Sequence, residues 1–153
     1  MERLSHSLSD TNAFAGGFVK DLAPHHESAS VVALYGDLGS GKTTFVQAVA
    51  KALGVRATII SPTFVLERAY TLKDQPFARL LHIDCYRIEK SDEMCALNWD
   101  EKIRNPKNII FVEWAERIED TLPPNTVRIY FEHVDETMRR IAVKTPMTKN
   151  RNF

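Results

Sequence analysis

The chain has 153 residues, 44% of them hydrophobic, with 20 basic and 20 acidic side chains that cancel. That length suits one domain, residues 1–153, with a single core, and the neutral balance argues against a protein that grips nucleic acid unaided. No apolar run approaches the ~18 residues that span a bilayer, nothing after Met1–His6 makes a signal peptide, and Cys85 and Cys95, with no CxxC or His cluster beside them, read as reduced thiols of a cytoplasmic protein.

A first helix is expected from Thr11 to Leu22, capped by Ser9 or Asp10, with Phe14, Phe18 and Leu22 on one face. Gly16-Gly17 weakens it, and Pro24-His25-His26 ends it in a loop. Ser30–Tyr35 is short, apolar and β-branched, and predicts a buried strand.

Directly after it, Gly36-Asp37-Leu38-Gly39-Ser40-Gly41-Lys42-Thr43 fits the spacing G-x-x-x-x-G-K-[ST] of a phosphate-binding loop. The glycines let successive backbone N–H groups turn toward one anion. Lys42 carries a mobile positive charge to the β- and γ-phosphates, and the Thr43 hydroxyl is placed to ligate Mg²⁺. Thr44–Leu53 predicts the helix that must follow, closed by Gly54. Strand, loop and helix stand in the order that nucleoside triphosphate binding requires.

Further on, Thr58–Ile60 reads as a short strand leading into Ser61-Pro62-Thr63-Phe64, where Pro62 holds Ser61 extended. Thr63 is placed as a γ-phosphate sensor of the switch-loop kind. Val65–Tyr70 and Ala78–Asp84 predict a β-hairpin around Asp74-Gln75-Pro76. Asp84 and Glu113 each close an apolar strand, where α/β sheets place their ligands. Ile109–Val112 is the cleaner parallel-type run, so Glu113 is expected on the metal, and Asp84 beside the metal or positioning water. Ser91-Asp92-Glu93-Met94 starts a helix, and Val127–Val134 and Arg140–Lys144 form a C-terminal hairpin around Asp135-Glu136-Thr137. From Arg139 onward there are five Lys or Arg and no acid, a basic tail read as a solvated terminus. The fold class is α/β: a three-layer P-loop NTPase fold with a mixed, largely parallel central sheet and that hairpin.

GDLGSGKTT, then SPTF, HIDCYR, VEWAER and LPP, in that order, resemble the bacterial TsaE family of small P-loop ATPases. The match runs from Ser30 to Pro124. The resemblance implies that Leu38, Gly39, Ser40, Gly41, Lys42 and Thr43 wrap the phosphates of ATP, and that Thr43 and Glu113 hold Mg²⁺. It further implies that Thr63 and Asp84 belong to switch regions, that Trp114 lies beside the site, and that Thr11 lies near the adenine. The implied partners are the other proteins of the tRNA threonylcarbamoyl-transfer complex, with tRNA met only through that complex. The chain departs from the family after its D-x-YR, where Asp92–Asn98 carries no Gly.

On this reading the protein is an ATPase, slow alone and dependent on partners, with Arg79, Arg87 and Arg117 as candidate arginine fingers. A small-molecule kinase would need an acceptor pocket and a lid, for which Gly54–Glu113 leaves little room. A nucleotide-gated binding module is the remaining alternative. No Asn-Lys-x-Asp element marks a GTPase.

Overall fold

The computed structural model describes residues 1–57 and 66–146. Among these residues seven strands form one sheet: β1 (Glu2–Ser5), β2 (Ser30–Tyr35), β3 (Glu67–Thr71), β4 (Arg79–Asp84), β5 (Asn108–Glu113), β6 (Val127–His133) and β7 (Arg139–Lys144). Their spatial order is β1-β7-β6-β2-β5-β4-β3. The middle strands β6, β2, β5 and β4 pair parallel, and the outer pairings are antiparallel. This is the mixed sheet, parallel at its centre, that the sequence predicts.

Alternation along the central strands splits the core into two layers. Ile109 and Phe111 of β5 join Val32 and Leu34 of β2 on the face covered by α1 (Leu8–Asp21) and α2 (Lys42–Ala52). Ile110 and Val112 join Val31 and Ala33 on the other face, under Met94, Trp99 and Ile118. Such a strand is buried on both sides, which is why β5 reads as one apolar run. Phe45 of α2 is fully buried, and its ring centroid lies 5.8 Å from Phe14, 6.3 Å from Phe111 and 5.5 Å from Phe131. Those rings clamp α2, and with it the preceding loop, to the sheet.

Several expectations need correction. The first helix begins at Leu8, and its cap is Ser7, whose Oγ accepts from the Asp10 amide at 3.1 Å; neither Ser9 nor Asp10 caps it. Gly16 and Gly17 stay inside that helix, because Phe14, Ala15 and Val19 supply its packing. Strand β1 has no counterpart in the sequence reading: among the described residues it pairs with β7 alone, across nearly the whole chain. Val65–Tyr70 is represented by β3, which begins at Glu67. The segment opened by Ser91 is a 3₁₀ helix, Ser91–Leu97. It ends at Asn98, which takes the left-handed conformation (φ 53°, ψ 43°). Asn is the side chain that best tolerates this region after Gly. The expected strand Thr58–Ile60, the Ser61–Phe64 turn with Thr63, and the end of the basic tail lie outside the described residues.

Cys85 is fully buried and Cys95 exposed. Burial, reinforced by the charges of Asp84 and Glu116, pushes the Cys85 thiol up to about 12. A thiol reagent at neutral pH should therefore label Cys95 alone in the native protein and both cysteines after unfolding. Rapid labelling of Cys85 in the native state would contradict the burial.

Candidate functional site

The carboxyl ends of β2, β5 and β4 lie side by side. The register sets Leu34 against Glu113, and Glu113 against Asp84. Both acids are 3% exposed. Chain direction brings the α1 entrance and the β6–β7 turn to the same edge of the sheet, on the other side of β2.

Residues Gly36–Gly41 join β2 to α2 at this edge. A Cβ on Gly36 (φ 147°) would stand 2.6 Å from both the Phe131 carbonyl oxygen and the Ser40 Oγ, so only glycine fits. Gly41 (φ 108°) is the N-cap of α2 and offers no side-chain cap. The first N–H groups of that helix are left for another acceptor, and its positive dipole end favours an anion.

Lys42 is 5% exposed. Its amine donates to the carbonyls of Gly36 and of Asp37, the latter at 3.0 Å, and lies 4.5 Å above the centre of the Trp114 ring. Desolvation lowers the ammonium pKa, opposed by Glu113, Glu116, Asp84 and Asp37. An arriving anion would relieve that cost. The Thr43 hydroxyl donates to Glu113 Oε1 at 2.7 Å. Trp114 itself is left-handed (φ 55°), and its ring lies 5.2 Å from Tyr86. Asp84 Oδ1 accepts from the Tyr86 amide at 2.9 Å.

One pocket of about 700 Å³ is lined by Leu38, Gly39, Ser40, Gly41, Lys42 and Thr43, with Asp84, Glu113 and Trp114. Ser7, Thr11, Glu136 and Arg139 line it as well. Thr11 meets Ser5 through a 2.7 Å hydroxyl–hydroxyl bond. Thr63 lies outside the described residues. Among the candidate arginines, Arg79 starts β4, roughly 17 Å along the strand from Asp84, and is not at the pocket. Arg117 donates to the Ile88 carbonyl at 3.4 Å and packs over Tyr86.

Sequence reasoning missed His82. It is fully buried, and its Nε2 lies 2.5 Å from Glu113 Oε2. The signal was present in the alternation of β4, which puts residues 82 and 84 on one face. Thr43 and Glu113 supply oxygen ligands of the kind that suit Mg²⁺. Among the described residues no group of three or more His, Cys, Asp or Glu could hold a metal unaided. The donor set thus fits a cation that draws its remaining ligands from phosphate and water.

Comparison with known proteins agrees in family and fold. The family model of the threonylcarbamoyl adenosine biosynthesis protein TsaE matches residues 5–141. The tRNA threonylcarbamoyladenosine biosynthesis protein TsaE of Rickettsia typhi is 34% identical over 140 residues, covering 91% of each chain. Its namesake from Bacillus subtilis is 38% identical over 123 residues, 80% of this chain and 74% of that one. A crystal structure of YdiB from Bacillus subtilis superposes with a TM-score of 0.75 at 28% identity, covering 96% of this chain and 86% of that one.

The close approach at Gly36 is testable by melting. Gly36→Ala should lose about 1–3 kcal/mol, because backbone must shift to admit the methyl. Gly17→Ala, on the exposed side of α1 with nothing within 4 Å of its Cβ, should gain roughly 0.5–1 kcal/mol. A Gly36→Ala midpoint equal to wild type would contradict the contact.

Proposed function

The chain belongs to the TsaE family, and from that premise we propose that it is a cytoplasmic, Mg²⁺-dependent ATPase serving the complex that forms threonylcarbamoyladenosine on tRNA. It would act as one nucleotide-binding domain, reaching tRNA only through its partner proteins. The observation that carries this reading is the convergence of Lys42, Thr43 and Glu113 at the N-terminus of α2. No helix of the described residues is long and apolar enough to cross a membrane.

In this account the backbone N–H groups of Leu38–Thr43 bind the phosphate oxygens. Lys42 leaves the carbonyls of Gly36 and Asp37 for the β- and γ-phosphates, exchanging a neutral acceptor for a charged one. Thr43 and Glu113 hold Mg²⁺, which when bound offsets the negative charge of the β- and γ-phosphates. Asp84, buried beside Glu113, orients the attacking water. Thr63 belongs with it in sensing the γ-phosphate, and Thr11 lies toward the adenine. Desolvation around Lys42 strengthens each of these charge contacts.

A partner that supplies an arginine finger would raise the rate by a factor of about 10³–10⁵. The isolated chain should therefore hydrolyse ATP slowly and speed up when its purified partner proteins are added. Lys42→Ala should weaken ATP binding by roughly 10- to 100-fold, from about 1.5–3 kcal/mol for charged hydrogen bonds. Calorimetry with ATP and Mg²⁺ reads that loss. In cells depleted of this protein, tRNA should lack threonylcarbamoyladenosine. Unaltered tRNA in such cells, or Lys42→Ala binding as tightly as wild type, would overturn the proposal.

A further inference from the structure

His82 has no part in the roles given above. Its ring is fully buried on β4, across from Phe111 on β5. Nε2 sits 2.5 Å from Glu113 Oε2, while the other carboxylate oxygen, Oε1, accepts from Thr43 at 2.7 Å. An ionised carboxylate only accepts, so the shared proton belongs to Nε2. Nδ1 has no hydrogen-bond partner among the described residues.

A ring kept only for packing is served as well by an apolar side chain, which leaves no nitrogen stranded. A histidine kept for polar satisfaction pairs both nitrogens. Here one nitrogen has no hydrogen-bond partner among the described residues, and the other is committed to the carboxylate oxygen that Thr43 does not use. That geometry serves Glu113 rather than the stability of β4.

We propose that His82 is a positioning residue for the metal site. By holding Oε2, it fixes the torsions of Glu113 so that Oε1 and the Thr43 hydroxyl face a single point. The inference rests on the reading of this pocket as a Mg²⁺–ATP site. Its magnitude follows from analogous partners of metal-ligating groups, which are commonly worth about 10- to 100-fold in metal affinity.

The test titrates MgCl₂ into the full chain with a non-hydrolysable ATP analogue, followed by calorimetry, for wild type, His82→Gln and His82→Leu. Metal-free affinity for the analogue is measured in EDTA. His82→Leu should need about tenfold more Mg²⁺, and His82→Gln, whose terminal amide restores a donor at the reach of Nε2, should recover most of that loss. Affinity in EDTA should shift by no more than about twofold in either variant, well below the metal effect. Equal Mg²⁺ requirements in all three proteins would overturn the inference. So would a His82→Leu protein whose EDTA affinity falls as far as its Mg²⁺ affinity, since that marks a packing role. If His82→Leu does not fold, His82→Asn, whose amide stops short of Glu113, replaces it with the same expectation. A wild-type protein indifferent to Mg²⁺ would instead overturn the Mg²⁺–ATP reading itself.

Discussion

The pocket depends on the parallel register of β4, β5 and β2. Backbone ladders align the three carboxyl ends, so Asp84 and Glu113 arrive beside the strand that feeds the phosphate loop. A slip of one residue in β5 would turn Glu113 into the opposite layer and point Val112 at Thr43. That slip is opposed by the core itself. Ile109 and Phe111 would have to leave the helix-covered face together, while Ile110 and Val112 left the other. The chemistry is thus held by apolar contacts several residues away from it.

Within that frame, the loop is preformed. Gly36 rests against the Phe131 backbone, Gly41 caps α2, and Phe45 anchors the helix among four neighbouring rings. Lys42 satisfies its amine on carbonyls of the loop that would release it to a ligand, with the Trp114 face beneath. On the proposed reading, phosphate oxygens are stronger acceptors than these carbonyls, and the exchange would favour the ligand. Little backbone ordering of this loop would then be left to oppose binding.

Local features were legible in the sequence, and non-local ones were not. Ser30–Tyr35, the glycine loop and the following helix are defined by neighbours in the chain, and they occur where the pattern puts them. The hairpins around Asp74 and Asp135 follow from turn residues between apolar runs. Strand β1 escaped because four residues carry too little pattern, and its stability comes from β7. The cap was misplaced because Ser7, Ser9 and Asp10 are all good caps, and only Phe14 and Ala15 packing sets the phase. His82 escaped because an apolar strand with one polar interruption does not reveal what that residue touches.

The pairing of the first strand with the last has a consequence for biosynthesis. In the order of synthesis β2, α2 and β5 come before β7, and among the described residues β1 has no strand partner until β7 is made. Glu136, just before β7, and Arg139, its first residue, therefore close their part of the pocket last. A nascent chain would own its glycine loop before it owned a complete wall around it.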